Sequence, residues 1–252
     1  MPPILVQTDE FVVLDKPSGL PVHAGPSGGP SVEDWFPELS RRRTGPWLVH
    51  RLDRDTSGCL VVALRRAALQ AAQALFAGGH AEKTYWAVVQ GAPNGTEGVV
   101  DAPLLKRTGR TGWSMVVDPA GQPARTRWRV LGRHAGLAWL ELHPETGRTH
   151  QVRVHCVRLG CPVLGDPVYA GGEGRLHLLA RAIALPLAPP LQATAPPPPH
   201  MRSALARLGW DPAKSAATVS SPPPTPAPST ASRSRAVPAR ERSRRTARPA
   251  PR

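Results

Sequence analysis

Cysteine, aromatic residues and lysine are all scarce in these 252 residues. There are three Cys, two Tyr and three Phe, and the only lysines are Lys16, Lys83, Lys106 and Lys214. Cys59, Cys156 and Cys161 are odd in number and form no CxxC pair, which argues against a disulfide scaffold and against a zinc ribbon. No run of about 18 apolar residues exists, so no membrane span is expected. The start, MPPILVQTDEF, reaches acidic residues without an apolar stretch. A secretory signal is therefore not expected, and the default compartment is the cytoplasm. Rossmann and P-loop glycine patterns and an HExxH ligand set are missing too, so no cofactor or metal is expected. GPSGGP (25–30) has glycines but no Lys-Ser/Thr after them and reads as a flexible loop.

What the chain has in abundance is arginine and proline. Its formal net charge is +14. Half of that falls in residues 211–252, so the body is basic without its tail. Such a balance points to a polyanionic partner, nucleic acid first. Residues 185–199, LPLAPPLQATAPPPP, read as a proline-rich connector, and Met201–Trp210 as a helix docking on the domain. Beyond Pro212 the composition is Ser, Ala, Pro and Arg, a segment expected to be disordered because it has too little apolar surface to offset its ordering entropy. It reads either as a solvated extension or as an RNA-binding arm that neutralises phosphates. The expected organisation is a domain over 1–210, with a core at about 8–185, and a basic tail over 211–252. No heptad pattern or long apolar edge is evident, so a monomer is expected.

Strand and helix signals alternate without a regular βαβ repeat, which predicts an α+β fold around a mixed, mainly antiparallel sheet. ILVQ and FVVLDK flank an Asp-Glu turn. Ala67–Gly79 reads as a helix stopped by Gly78-Gly79. Lys83–Gly91 reads as a strand, with Tyr85, Ala87 and Val89 on one face and Trp86 and Val88 on the other. Ala124–Gly147 reads as a hairpin turning near His134–Gly136, and Arg148–Gly160 as a helix burying Val152, Cys156 and Leu159.

Three segments concentrate chemistry. His50–Gly58, HRLDRDTSG, packs His, two Arg, two Asp, Thr and Ser ahead of an apolar strand. Read plainly it is a surface loop with an Asx-type turn at Asp53 or Asp55. Those two carboxylates are i, i+2 and point apart if extended, so they do not form a glycosidase-like pair. Glu145–Gly172 crowds Arg148, His150, Gln151, Arg153 and His155 at a helix start, where an anion could sit and Arg148 could grip a carboxylate. Read plainly it is a solvated helix face, with Gly165-Asp166-Pro167 as a tight turn. In the third, Tyr85 in EKTYWAVVQG reads as a half-buried strand residue.

Together with VLDKPSGLPVHAG (13–25), these segments resemble the RluA-type family of pseudouridine synthases, in the right order over most of residues 8–185. HRLDRDTSG matches the family's catalytic motif, EKTYWAVVQG its Lys-x-Tyr strand, and GRTHQVRVHCVRLGCPVLGDPVYAG (147–171) its longest motif. The sequence departs from the pattern at Leu179, where the family usually has His, and at Cys59 and Cys161. The resemblance is to compact members with no small RNA-binding domain ahead of the catalytic body. It implies the pseudouridine synthase fold and isomerisation of uridine in structured ribosomal or transfer RNA, without a cofactor.

The resemblance also implies roles. Asp53 would act on the flipped nucleotide, either attacking C1′ or taking a ribose proton. Arg148 would hold the Asp53 carboxylate. Tyr85 would stack on the uracil and Val152 would wall it. Arg51 would fill the space the base vacates. His50, Lys83 and Gln151 complete the expected substrate-binding set. Apart from the resemblance, the Arg41–Arg43 run reads either as a contact for phosphates or as a solvated loop. Against this stand a non-catalytic RNA-binding protein or chaperone on the same fold, a glycoside-type hydrolase that would release free uracil, and a DNA-binding structural protein.

Overall fold

The computed structural model describes residues 1–25, 28–40, 44–109 and 112–215, which fall within one compact unit. The Arg41–Arg43 run, the middle of GPSGGP and the basic tail from 216 onward lie outside the described residues. Among the described residues, no helix is long and apolar enough to cross a membrane.

Among the described residues, twelve strands and five α-helices follow in chain order: β1 (Ile4–Gln7), β2 (Phe11–Lys16), α1 (Phe36–Leu39), β3 (Trp47–Leu48), β4 (Ser57–Ala63), α2 (Arg66–Ala77), β5 (Glu82–Gln90), β6 (Glu97–Asp101), β7 (Leu104–Gly109), β8 (Gly112–Val117), β9 (Arg125–His134), β10 (Leu137–Pro144), α3 (Gln151–Arg158), β11 (Leu178–Leu185), β12 (Leu191–Thr194), α4 (Pro199–Arg207) and α5 (Pro212–Ser215). The main sheet runs β1-β2-β4-β11-β5-β10-β9-β6, with β3 pairing β4 and β12 pairing β11. Its pairings are antiparallel except β4 with β11. This is the α+β architecture with a mixed, mainly antiparallel sheet. β7 and β8 form a separate hairpin.

β4, SGCLVVA, is buried at all seven positions and so is covered on both faces, as an unbroken apolar run predicts. β5 alternates as its sequence predicts. Trp86 and Val88 join one core layer with α2 and α4, while Ala87 and Val89 join another with α3. The hairpin turns at Ala135 and Gly136, both at positive φ. α4 docks through the fully buried Met201 and Leu205. The proline-rich connector, by contrast, contains a strand. β12 pairs β11 from Ala182↔Thr194 to Leu185↔Leu191, and Leu191, Ala193 and Ala195 are buried. The four-residue run LQAT, free of proline, satisfies its backbone on β11 instead of on water.

A single row across the sheet positions the chemistry. Gly58 of β4 pairs with Ala180 of β11, which pairs with Tyr85 of β5, which pairs with Leu142 of β10. The loop ahead of β4, the start of β5 and the end of β10 therefore meet on one side. Gly58 has φ +107, and a Cβ there would collide with the Ala180 carbonyl oxygen. The last glycine of HRLDRDTSG thus permits the close parallel pairing that brings its loop to β11.

Candidate active site

A cleft of about 270 Å³ opens on that side, and every site residue expected from the sequence lines it: His50, Arg51, Asp53, Lys83, Tyr85, Arg148, Gln151 and Val152. Phe76, Thr146, His150, Arg153 and Leu178 complete much of the wall.

Asp53 sits in a loop that the KPSG segment holds from behind. Lys16 is fully buried and donates its ammonium hydrogens to the carbonyls of Pro17 (3.0 Å), Leu20 (2.8 Å) and Arg54 (2.9 Å). Ser18 Oγ donates to the Asp55 carbonyl at 2.9 Å, and the Gly19 N–H to the Arg54 carbonyl at 3.0 Å. Burial lowers Lys16 to about 8, opposed by the charges of Asp55 and Asp53. The Asx-type turn expected at Asp53 is not how the loop closes. Thr56 N–H donates to the Asp53 backbone carbonyl at 3.2 Å, and the Asp53 carboxylate meets the far wall of the cleft.

Across from it is the start of α3. Arg153 Nη1 lies 3.5 Å from Asp53 Oδ2 and His150 Nε2 lies 3.7 Å from the same oxygen. Both distances exceed ordinary hydrogen-bond lengths, so the carboxylate is flanked by these groups without being saturated by them. Arg153 is itself anchored. Its Nε and Nη2 donate to Asp166 Oδ2 and Oδ1 at 2.8 and 2.7 Å, and Asp166 Oδ1 also accepts from the N–H groups of Val168 and Tyr169. Burial opposes charge on both partners, but the mutual hydrogen bonds and charges prevail. The Arg153 value moves up and that of Asp166 down.

Here the structure corrects the expectation for Arg148. That side chain is exposed and donates Nε to the Pro123 carbonyl at 3.0 Å. The cation beside Asp53 is Arg153, which is only 4 % exposed, so the plain reading of this helix start as a solvated face does not hold for it. Asp166, read as a turn residue, is fully buried as its counter-ion. The sequence signal was the position of Arg153 inside the helix, whereas Arg148 precedes its first turn.

His150 caps α3 in a left-handed conformation, φ 54, an uncommon backbone state for a non-glycine residue. Its Nδ1 is 2.8 Å from the Tyr169 hydroxyl, which accepts the Met115 N–H at 3.0 Å. The Tyr169 proton is then available to His150 Nδ1, and that tautomer carries its own N–H on Nε2, towards Asp53. Burial lowers the His150 value, with the Asp53 charge opposing and Arg153 assisting. The exposed Trp113 of β8 stacks on the same ring, 5.0 Å between centroids and 25° between planes.

Tyr85 is held protonated well above the ordinary phenol value, first by burial and then by the Asp53 charge. Val152 adds an apolar surface. Lys83 donates to the Thr146 carbonyl at 3.0 Å, and burial lowers it to about 8.

Two members of the expected binding set are committed to the fold. Gln151 donates to the Arg125 carbonyl and Thr126 Oγ1, and accepts from Arg148 N–H and Thr146 Oγ1. His50 Nε2 accepts the Val61 N–H at 3.1 Å while its ring stacks on Phe76. These residues shape the cleft walls. Arg51, by contrast, is exposed at the rim.

Residues 10–157 match the family model described as RNA pseudouridylate synthase. An uncharacterised RNA pseudouridine synthase of Zymomonas mobilis is 42% identical over 147 residues, 58% of this chain and 67% of that protein. The ribosomal large subunit pseudouridine synthase C of Vibrio cholerae is 40% identical over 151 residues, 60% of this chain and 47% of that one. The chain thus spans about half to two thirds of these relatives. Among solved structures, human RNA pseudouridylate synthase domain containing 4 superposes with a TM-score of 0.70 at 32% identity, covering 81% of this chain and 92% of that one. The match over more than half of the chain, and the superposition on the human protein, place this protein in the RNA pseudouridylate synthase family of isomerases.

Proposed function

We propose that this protein isomerises uridine to pseudouridine at one or a few sites in structured ribosomal or transfer RNA, with Asp53 as the group that acts on the flipped-out nucleotide. The observation that carries the reading is the setting of Asp53. It is a part-exposed carboxylate beside Arg153 and His150, in a cleft that also holds a protonated Tyr85 and the apolar side chain of Val152.

The reaction breaks the C1′–N1 bond, turns the uracil and joins C5 to C1′. Atoms are conserved and no redox change occurs. Asp53 either attacks C1′, as a glycosidase nucleophile does, or removes a ribose proton, and both roles need a carboxylate with an unsaturated oxygen. Arg153 holds positive charge next to that oxygen through the step. Tyr85 packs on the uracil ring and Val152 walls it. Flipping the uridine costs a few kcal/mol, least in a loop, and Arg51 at the rim can stack in the vacated space. Arg148 at the same rim suits a phosphate better than the carboxylate. The Arg-rich tail adds sequence-independent affinity through phosphate neutralisation.

The deciding experiment is pseudouridine mapping of total RNA from cells lacking the gene, complemented with wild type or with Asp53→Ala. One or a few sites should vanish in the deletion and return with wild type only. In vitro, Asp53→Ala should lower turnover by at least about 10²–10⁴-fold while RNA is still bound. Unchanged modification in every RNA class would overturn the reading.

A further inference from the structure

Trp113 has no part in the chemistry above, yet it is large, exposed and one ring away from the catalytic carboxylate. It stands on β8, and its position is set by the root of the β7–β8 hairpin. Met115, two residues along and on the same face, is buried against Leu104, Ala124 and Val154 of α3. The Met115 N–H is bonded to Tyr169 Oη. The hairpin is thus tied at its base to the elements that hold Arg153 and His150. Trp113 is 43 % exposed and stacks on His150, whose Nε2 faces Asp53. The Lys106 ammonium lies 4.7 Å from the centre of the Trp113 ring.

An exposed tryptophan fixed against a residue of the cleft wall, His150, needs a reason, since burial would be its ordinary fate. A lysine over an exposed ring contributes about 0.5–1 kcal/mol. A nucleobase stacked on an aromatic side chain contributes about 1–3 kcal/mol. A base would therefore displace the ammonium, and Lys106 would be released to meet a phosphate. Extracting one nucleotide from a strand unstacks its neighbours at the same moment. A single imidazole stands between Asp53 and Trp113: His150 Nε2 lies 3.7 Å from Asp53 Oδ2, and the same ring is 5.0 Å from the Trp113 ring, centroid to centroid.

We propose that Trp113, backed by His150, is the stacking platform for the base next to the target uridine, and that Lys106 pairs with the adjoining phosphate. The inference rests on the RNA isomerase reading and names how that site would grip the strand. Aromatic stacking tolerates any base, so the platform would supply grip and register, not sequence choice.

The test uses the full chain and unmodified RNA stem-loops with uridine-containing loops, together with the same RNAs carrying one abasic residue beside each loop uridine. Trp113→Ala should weaken binding of the intact RNA by about 5- to 100-fold. Trp113→Phe should recover most of that loss, and the deficit should fall on KM more than on kcat. One abasic position should weaken wild type by a similar factor but cost Trp113→Ala little more, because the stack is already gone. Equal affinity of wild type and Trp113→Ala, or penalties that multiply in full, would overturn the platform. Product formation by wild type on the same RNAs reads the isomerase proposal separately. Activity with Trp113-independent binding sinks only the platform, and Trp113-dependent binding without product sinks only the activity.

Discussion

Arg153 and Asp166 form a fork-to-fork pair, 2.8 and 2.7 Å, in which the carboxylate is fully buried, and the one guanidinium nitrogen not used by that pair, Nη1, is 3.5 Å from Asp53. The geometry makes a single cation serve two carboxylates. One is a structural anchor with a saturated set of donors. The other is a part-exposed group in the cleft with an oxygen to spare. Asp166 thereby decides where the charge beside Asp53 stands, although it is on the far side of the arginine.

Removing the arginine strands a buried carboxylate. Arg153→Met should destabilise the fold by about 3–5 kcal/mol, the usual cost of breaking a buried pair from one side. Arg153→Lys keeps the charge but loses the two-pronged contact. It should be destabilised by less and still lose most of its turnover, because a lysine cannot hold Asp166 and face Asp53 together. Urea unfolding and single-turnover assays read the two effects. A fully active Arg153→Lys would show that Asp53 needs only a nearby charge.

His50 makes stability fall with acid. Burial, and secondarily Lys83, lower it to about 4 in the folded state, from 6.5 as an ordinary value. Between pH 6.5 and 4 the unfolded chain therefore binds the extra proton. Stability from this group is complete above pH 6.5 and is lost as pH falls towards 4, by at most about 3 kcal/mol. His50→Gln keeps an acceptor for the Val61 N–H and cannot be protonated. Its unfolding free energy should drop less than that of wild type over the same interval, as measured by urea titration at several pH values.

Lys16 is a positioning residue for the Asp53 loop. Lys16→Met removes three donors at once and leaves the carbonyls of Pro17, Leu20 and Arg54 to find others. A loss of about 2–4 kcal/mol in stability is expected. If Asp53 acts as proposed, turnover at saturating RNA should drop more steeply than affinity, because the loop carries Asp53 while the exposed Arg51 and Arg148 side chains lie apart from the Lys16 bonds. A variant that lost affinity alone would show that the loop keeps its shape without the ammonium.

The cysteines should be inert in the native protein. All three are buried, and burial raises Cys59 to about 12, Cys161 to about 11 and Cys156 well above the ordinary thiol value. At pH 8 almost no thiolate forms, and the thiolate is the reactive species. A colorimetric thiol reagent should titrate close to none of them in the folded protein and all three in denaturant. Rapid native labelling would mean that the sheet opens easily around β4 or α3.

Much of this was legible in the sequence because it depends on neighbours along the chain. HRLDRDTSG and the Lys-x-Tyr strand could be read as they stand, since a loop motif and a two-residue alternation are local patterns. The turn at Ala135-Gly136 and the helix through Met201 and Leu205 are local too. β12 was not legible, because LQAT becomes a strand only when β11 offers it a partner edge. Nor was the choice between Arg148 and Arg153, since both stand at the start of one helix and spacing alone does not say which of them reaches Asp53. The left-handed turn at His150 sets how α3 enters the cleft, and Asp166 then draws Arg153 inward.

The sequence by itself determined the residue types of the Asp53 loop, the alternation that puts Tyr85 and Trp86 on opposite faces, and the basic charge that suits a polyanion. Those follow from periodicity, turn chemistry and composition, which act over a few residues. Tertiary structure alone decided which cation meets Asp53, that Gln151 and His50 are spent on shaping the walls, and that Trp113 stacks on His150. Each of these depends on groups tens of residues apart being brought within a few ångströms, a matter of sheet order and packing that no local pattern records.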